Sequence, residues 1–291
     1  MKVTKAVIPC AGLGTRFLPY TKACPKELLP IIDTPVLQLI VSEIVQAGIT
    51  DILIIDNDQK TAISSHFLKN ERLEGILTER GASSYASQVA EIAEMANFHF
   101  VEQNNPLGSA HAVSLCEEFA CGEPVALLFG DDLIVSPNGK PAIGQLMEIY
   151  EKTDKTVIGC QKVAMENIPK YSSINITKDC GDYYEISGIV EKPAIEDAPS
   201  DIAGLGRYIL SPEIFDYIRK TEKGAGGEYQ ITDSFEMMAQ KGLVVAMEYE
   251  GRRYDTGNKS SYLEAVVDFA LANEELSGNF KEYIKKVAEK L

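Results

Sequence analysis

The sequence predicts an α/β fold built on a mainly parallel, doubly wound mixed sheet. Through the first half of the 291-residue chain, short apolar runs rich in β-branched residues alternate with helical patterns, as in folds where each strand is followed by a returning helix. The second half changes to neighbouring strands, then helices, then one more strand. We therefore expect a Rossmann-like nucleus whose sheet is extended by the second half of the chain.

The first half supplies the strands of this nucleus and one well-marked helix. Apolar residues recur at i and i+4 from Val36 to Val45, which predicts a helix with one buried face. Thr34 suits its N-cap, Pro35 its first helical position, and Gly48 the stop that follows it. The expected strands lie at residues 6–9, 52–55, 98–101, 125–129 and 157–160.

The second half supplies the extension and a closing helical segment. Helices are expected to start at Pro212 and Ile231, and an apolar stripe from Tyr262 to Ala270 predicts a closing helix, followed by a Lys/Glu-rich tail from Phe280. Further strands are expected at 184–190, 205–210 and 243–249. Because no Pro/Gly-rich linker interrupts the chain, we expect a single domain over 1–291, with lobes at about 1–165 and 166–256 and C-terminal helices at 257–291.

Composition and charge argue against several classes of protein. The chain is 45% hydrophobic and 24% charged, as globular proteins are, and no apolar run nears the roughly 20 residues of a transmembrane helix. A formal net charge of −15 argues against nucleic acid or an anionic membrane as a partner, because it would repel polyanions. No signal-peptide pattern opens the chain, and its six cysteines lack C-x-x-C spacing, so we expect a cytoplasmic protein with reduced thiols and no zinc site.

A glycine-rich loop follows the first expected strand, at the edge where open α/β sheets bind ligands. Gly12 and Gly14 would let backbone N–H groups approach a phosphate or a base closely. Residues 11–26 contain Arg16 and Lys26 but no acidic residue, which suits phosphates, although a solvated basic loop would have the same composition. The dinucleotide fingerprint G-x-G-x-x-G fails at its third glycine, and no P-loop motif occurs.

Carboxylates follow another expected strand at the same edge of the sheet. Asp131 and Asp132 come directly after the strand at 125–129, and Asp255 lies in a turn before a helix. Mg²⁺ usually takes one or two carboxylates together with substrate phosphate oxygens. From this pattern alone, a turn or a helix cap remains an alternative explanation of the acids.

The glycine loop and its continuation resemble the signature of the sugar nucleotidyltransferase family. The matching runs are Ala11-Gly12-Leu13-Gly14-Thr15-Arg16 and Pro25-Lys26-Glu27-Leu28-Leu29-Pro30. The resemblance implies the fold of nucleotide-diphospho-sugar transferases, with a sugar-binding extension. It implies that Ala11, Gly12 and Gly14 wrap the nucleotide. It also implies that Arg16 neutralises the departing phosphates and that Lys26 holds the phosphate under attack.

Other segments resemble the metal, base and sugar sites of the same family. The resemblance implies Mg²⁺ held mainly by Asp131, with Asp255 as the second ligand and Asp132 as a weaker candidate. It implies base reading by Gln103 and Gly108. The remaining matches imply a sugar-phosphate site formed by Glu191 for hydroxyls, Lys192 for the phosphate, Ser172, Gly206 and the segment 224–233.

Two features resemble the uridylyl branch of the family: a long helical insertion at 67–93 and the Gly-Asn-Lys-x-x-Tyr form of 257–262. They imply an enzyme that transfers a uridylyl group from UTP to glucose 1-phosphate without a covalent enzyme intermediate. A homodimer or homotetramer, joined through the insertion, is also implied. Thymidylyl or cytidylyl transfer, another sugar 1-phosphate, and a non-catalytic sugar-nucleotide-binding regulatory protein stay open.

Two positions depart from the family pattern. Ser172 stands where the family has a glycine whose backbone approaches the sugar, which leaves the identity of the sugar open. Ser109 and Ala110 interrupt the usual Gly-Leu-Gly-His ending of the base segment, so we expect a reshaped base pocket. His111 has no Ser or Cys partner at a recognisable spacing, and we expect it to be a packed or helix-start histidine.

Overall fold

The computed structural model of the chain describes residues 1–57, 61–224 and 227–291. Within these ranges the strands are β1 (Lys5–Pro9), β2 (Pro30–Ile31), β3 (Thr34–Pro35), β4 (Asp51–Asp56), β5 (Asn97–Glu102), β6 (Val125–Leu128), β7 (Asp132–Val135), β8 (Thr156–Lys162), β9 (Ser172–Asp179), β10 (Tyr184–Glu191), β11 (Ile202–Leu210), β12 (Val244–Glu248) and β13 (Arg252–Asp255). The helices are α1 (Val36–Gln46), α2 (Thr61–Phe67), α3 (Glu71–Glu79), α4 (Ser83–Glu94), α5 (Ser109–Ser114), α6 (Glu117–Ala120), α7 (Ala142–Thr153), α8 (Ile214–Ile218), α9 (Ile231–Ala239), α10 (Lys259–Ala272) and α11 (Ser277–Ala288).

The central feature of the described chain is a nine-stranded sheet in the order β5-β4-β1-β6-β11-β8-β12-β10-β9. Strands β5, β4, β1 and β6 run parallel, as do β8 and β12. Strand β11 is antiparallel to both β6 and β8, and β10 and β9 close the other end in antiparallel pairs. The predicted α/β fold with a mixed sheet and a second-half extension is therefore confirmed.

Helices cover both faces of the sheet and build a core on each side. Along β1, Val7 packs into one core with residues of α5 and α9, whereas Ile8 packs into the other with residues of α1 and α7. This division follows from the alternation of side chains along a strand. Because β1, β4 and β6 are buried on both faces, they appear in the sequence as continuous apolar runs rather than as alternating ones.

The start of α1 differs from the prediction. Thr34 and Pro35 form the short strand β3, and Val36 is the first helical residue. The N–H of Val36 donates to the carbonyl of Leu29 at 3.0 Å, so a backbone group from the preceding segment replaces the expected side-chain cap. Gly48 follows the helix with φ 84°, as the predicted stop requires.

The insertion at 67–93 is helical, as predicted. It comprises the end of α2, then α3 and most of α4. Helices α3 and α4 pack against each other as a hairpin. Ala86 is buried in this hairpin, while Leu73, Ile76 and Tyr85 are exposed large apolar side chains. Within the described ranges, no helix is both long enough and apolar enough to cross a membrane.

Candidate active site

The two predicted metal ligands meet because a short ribbon joins the segments that carry them. Strands β7 and β13 pair antiparallel, with Asp255 opposite Asp132. A Cβ on Gly257 would lie 2.8 Å from Oδ2 of Asp131, 3.0 Å from Oδ1 of Asp255 and 3.2 Å from Nη1 of Arg16. A side chain at this point would therefore displace the groups that converge there, which are both carboxylates and the Arg16 guanidinium.

Lys26 forms an ion pair with Asp131 beside this point. Its Nζ lies 2.5 Å from Oδ2 of Asp131 and 4.0 Å from a carboxylate oxygen of Glu27. Burial opposes a charge on Lys26, but Asp131 and Glu27 outweigh it and hold the lysine pKa above its ordinary value. Burial would likewise raise the pKa of Asp131, but Lys26, with smaller contributions from Arg253 and Arg16, holds it below its ordinary value. Both side chains are therefore charged around neutral pH.

The glycine loop packs its backbone closely against Lys26. Gly14 has φ 63°, and a Cβ there would lie 3.0 Å from Cγ2 of Thr21 and 3.2 Å from Cβ of Lys26. The hydroxyl of Thr21 donates to the Gly14 carbonyl at 2.8 Å, which fixes the turn. Gly12 is exposed beside the Lys26 ammonium, and Ala11 is buried.

The predicted base-reading residues, Gln103 and Gly108, lie in the segment between β5 and α5. Gln103 follows β5, is 4% exposed, and its amide nitrogen lies 2.8 Å from Nδ1 of His111 on α5. His111 is thus a half-buried residue near the helix start, in line with its expected structural role. Gly108 precedes α5 with φ 120°, and a Cβ there would overlap the backbone of Tyr229. The 224–233 segment passes this point, except that residues 225 and 226 lie outside the described residues.

The opposite wall of the cleft carries Glu191, the last residue of β10, and Lys192, which follows it. The backbone N–H of Lys192 donates to the carbonyl of Tyr171 at 2.9 Å, and Lys192 has φ 45°, an uncommon value for a residue with a side chain. The Glu191 carboxylate lies 3.4 Å from Nζ of Lys192 and accepts a hydrogen bond from the Thr232 hydroxyl at 2.7 Å. These contacts hold the acid and the base side by side.

Ser172 and two glycines shape the floor of the cleft. Ser172 is buried, with its hydroxyl 3.5 Å from the Gly204 carbonyl, and a Cβ on Gly204 would lie 2.7 Å from that hydroxyl. Gly206 has φ 63°, and a Cβ there would overlap the Asp132 carboxylate. Both glycines on β11 are therefore required by what faces them.

Two adjoining cavities bring most of the predicted residues together. A cleft of about 290 Å³ opens between the first and second halves of the chain, and a smaller cavity of about 140 Å³ shares Arg16 and Asp131 with it. The predicted residues that line the cleft are Arg16, Asp131, Asp132, Ser172, Glu191, Lys192, Gly206, Asp255 and, from the 224–233 segment, residues 230–232. Gly14 and Lys26 line the smaller cavity, whereas Ala11, Gly12, Gln103 and Gly108 line neither.

Arg253 is a cleft residue that the sequence analysis missed. Its guanidinium lies 2.5 Å from Oδ1 of Asp132 and stacks over the ring of Tyr171, 5.0 Å from the centroid. Alternation along β13 puts Arg253 on the same face as Asp255, and that spacing is the signal that could have identified it. Asp131 and Asp132 each pair with a cation, Lys26 and Arg253 respectively. Asp131 is the better placed of the two acids for a metal because it meets Asp255 beside Gly257.

A buried ion pair supports the turn that carries Asp131 and Asp132. Arg207 on β11 is fully buried and binds Glu43 on α1 through two nitrogens, with its Nη2 2.6 Å from Oε2. The same Nη2 donates to the carbonyl of Asp132 at 2.7 Å. The turn after β6 is thereby fixed to both the sheet and α1.

The donor set suits a hard divalent cation that also binds substrate. Within the described ranges no group of three or more His, Cys, Asp or Glu side chains could hold a metal ion on its own. Asp131 and Asp255 nevertheless face one point beside Gly257. One or two carboxylates completed by phosphate oxygens and water is the usual protein environment of Mg²⁺, so the residues present fit such an ion.

The sequence matches known nucleotidyltransferases over nearly its whole length. The profile of the nucleotidyl transferase family matches residues 5–271. The UTP–glucose-1-phosphate uridylyltransferase 2 of Staphylococcus saprophyticus is 44% identical over 286 residues, covering 98% of each chain. The UTP–glucose-1-phosphate uridylyltransferase YngB of Bacillus subtilis is 43% identical over 289 residues, covering 99% of this chain and 97% of that protein.

Solved structures agree with these sequence matches. A UDP-glucose pyrophosphorylase complexed with UDP-glucose superposes with a TM-score of 0.84 at 34% identity, covering 93% of this chain and 100% of that one. The UTP-bound UGPase of Acinetobacter baumannii gives 0.90 at 30% identity, covering 97% and 98%. The chain therefore belongs to the nucleotidyl transferase family and groups within it with the UTP–glucose-1-phosphate uridylyltransferases.

Proposed function

We propose that the chain transfers a uridylyl group from UTP to glucose 1-phosphate, giving UDP-glucose and pyrophosphate. One observation carries the proposal: the cations Arg16 and Lys192 and the acids Asp131 and Asp255 line a single cleft, with Lys26 in the cavity that joins it. The names of relatives at 43% and 44% identity support uridylyl transfer. The UTP and UDP-glucose complexes among the solved structures support the same substrates.

The proposed reaction requires positioning and charge neutralisation and does not require a general base. A phosphate oxygen of glucose 1-phosphate, already an anion, attacks the α-phosphorus of UTP, and the bond to the bridging oxygen breaks as pyrophosphate leaves. Arg16 neutralises the departing phosphates, Lys26 holds the α-phosphate, and Lys192 holds the phosphate of the sugar. Pre-placed charges of this kind lower the barrier because they need little reorganisation during the reaction.

The acids have a separate role. Asp131 and Asp255 hold Mg²⁺, which when bound supplies positive charge to the phosphate oxygens of the nucleotide. The pairing of Asp131 with Lys26 keeps both groups charged and placed before substrate arrives. Asp132 stays with Arg253 and holds the wall of the cleft.

The nucleotide and sugar are bound on opposite walls. Ala11, Gly12 and Gly14 wrap the nucleotide, and Gln103 and Gly108 read the base. The sugar phosphate is held by Glu191, which accepts hydrogen bonds from sugar hydroxyls, and by Lys192, Ser172 and Gly206. The walls correspond to the proposed lobes, at about 1–165 for the nucleotide and 166–256 for the sugar phosphate, closed by the helices of 257–291.

Assembly and location complete the proposal. The hairpin of α3 and α4 exposes Leu73, Ile76 and Tyr85, and we propose that it contributes to a homodimer or homotetramer. A cytoplasmic location suits a UTP-using enzyme.

The test is a substrate panel. The purified protein with Mg²⁺ is assayed for pyrophosphate release with UTP, dTTP, CTP and ATP, each paired with glucose, galactose, mannose and N-acetylglucosamine 1-phosphates. We expect the pair UTP and glucose 1-phosphate to give the highest kcat/KM. A higher value with another nucleotide or another sugar would reassign the substrates, and calorimetric binding of UDP-glucose without any turnover would support the regulatory protein instead.

A further inference from the structure

A serine at the nucleotide side of the cleft caps a helix of the sugar side. Ser109 is the first residue of α5, and its hydroxyl donates to Oε1 of Gln230 at 3.1 Å and accepts from the backbone N–H of Ile231 at 2.9 Å. Ile231 is the first residue of α9, and its own N-cap residue, Gln230, makes no side-chain cap bond. Ser109 therefore supplies the cap of a helix more than a hundred residues away.

Backbone hydrogen bonds join the same two segments. The N–H of Tyr229 donates to the Leu107 carbonyl at 2.8 Å, and the N–H of Ala110 donates to the Tyr229 carbonyl at 2.9 Å. Gly108 lies between these bonds, and a residue with a side chain would not fit there against the Tyr229 backbone. The loop before α5 and the start of α9 thus form one tightly joined unit.

The next residue of α9 continues the connection to the sugar-phosphate site. Thr232 is 8% exposed and donates to Oε2 of Glu191 at 2.7 Å, and the other oxygen of Glu191 lies 3.4 Å from Nζ of Lys192. One turn later, Glu236 accepts the backbone N–H of Ile189 on β10 at 2.5 Å. Ser109 is therefore joined to Lys192 by the bond to Ile231, the peptide bond from Ile231 to Thr232, and the contacts of Thr232 and Lys192 with Glu191.

We propose that Ser109 is a positioning residue that couples the nucleotide-side loop at 104–110 to the orientation of Glu191 and Lys192. The proposal rests on the proposed function for the identity of the two substrates. Without the hydroxyl, the N–H of Ile231 and the amide of Gln230 lose their partner, and the first turn of α9 is held less firmly. Thr232 then holds Glu191 less firmly, and Lys192 presents the sugar phosphate less often in line with the nucleotide.

The kinetic test separates this role from simple base binding. We expect Ser109→Ala to lower kcat by about three- to tenfold, as the loss of one hydrogen bond in a positioning chain would. The dissociation constant of UTP, measured by calorimetry with Mg²⁺ and without sugar phosphate, should change by less than about twofold. Ser109→Thr should restore most of the kcat, because it keeps the hydroxyl. A UTP affinity that falls as much as kcat would overturn the proposal.

A double-mutant cycle tests whether the connection runs through Thr232. Thr232→Val removes the hydroxyl with little change of shape, and we expect the double variant Ser109→Ala/Thr232→Val to have a kcat close to that of the slower single variant. Two effects that multiply would contradict a shared chain. Ser114→Ala, on the same helix with only a local bond to the His111 carbonyl, is the matched control and should leave kcat unchanged.

A measurement independent of turnover keeps the two proposals distinguishable. In hydrogen–deuterium exchange of the full native chain, Ser109→Ala should speed exchange in peptides covering 229–236 and 188–193 by several-fold relative to the wild type and to Ser114→Ala. Unchanged exchange in both peptides would overturn the coupling. A wild-type protein with no turnover on any substrate pair would instead count against the proposed function, while the exchange result would still decide the role of Ser109.

Discussion

Asp131 is the residue on which the most contacts of the site converge. It pairs with Lys26 at 2.5 Å, faces the same point as Asp255, and shares both adjoining cavities with Arg16. Burial opposes its charge, but Lys26, with smaller contributions from Arg253 and Arg16, outweighs burial and holds the pKa of Asp131 below its ordinary value, so the carboxylate stays available as an oxygen ligand around neutral pH. The site therefore depends on the charge of Asp131 more than on its shape.

Asp131→Asn tests this dependence, because it keeps the shape and removes the charge. We expect kcat to fall by about a hundredfold or more, since both metal binding and the placement of Lys26 are weakened. The melting temperature should change little in comparison. Asp182→Asn, which removes the exposed partner of Lys152, is the control and should keep full activity. A near-normal rate for Asp131→Asn would refute the assignment.

The cysteines give a second prediction at the residue scale. Burial raises the pKa of the Cys116 thiol to about 12 and raises that of Cys160 as well. Cys121 is exposed. Titration of the native protein at pH 8 with a thiol reagent, followed by peptide mapping, should label Cys121 first and leave Cys116 and Cys160 unlabelled until denaturant is added. Early labelling of Cys116 would show that α5 and the following segment pack less tightly than described here.

At the scale of elements, the strands of the nucleus were predictable and their long-range partners were not. Apolar runs located β1, β4, β6 and β8 to within about two residues, because nearly continuous burial imposes a continuous apolar pattern. The edge strand β5, which is only partly buried, was located as closely. The ribbon of β7 and β13 was missed, since each strand has four residues of mixed character. The motif residues were found through the family signature, and alternation from Asp255 could have added Arg253. The contacts of Thr232 with Glu191 and of Ser109 with Ile231 join segments far apart in the chain, so no local spacing reveals them.

The pair of Arg207 and Glu43 gives a prediction at the element scale, because it joins β11 to α1. Arg207→Met leaves Glu43 buried without its partner, which should lower the free energy of unfolding by about 3 kcal/mol or more. The double variant Arg207→Met/Glu43→Leu removes both charges and should recover much of this loss, although the Asp132 carbonyl still lacks its donor. Chemical denaturation measures the free energy of unfolding of both the single and the double variant. A single variant as stable as the wild type would contradict a structural role for the pair.

At the scale of the whole molecule, the order of strands decides which residues meet. Strand β11, from the second half of the chain, inserts between β6 and β8, and this insertion brings Gly206 against Asp132. Local periodicity predicted a strand there but not its neighbours, because pairing across the chain depends on which faces are left to cover. The net charge of −15 likewise does not reveal that Arg16 and Lys192 line one cleft and that Lys26 lines the cavity beside it.

A crystal structure with UDP-glucose and Mn²⁺ would show whether these cations and the acids Asp131 and Asp255 bind one substrate together. We expect the diphosphate of UDP-glucose between Lys26 and Lys192, and an anomalous peak from Mn²⁺ beside the carboxylates of Asp131 and Asp255. UDP-glucose bound elsewhere, such as in the separate cavity between Lys140 and Glu248, with no metal at Asp131, would show that the cleft is not the substrate site.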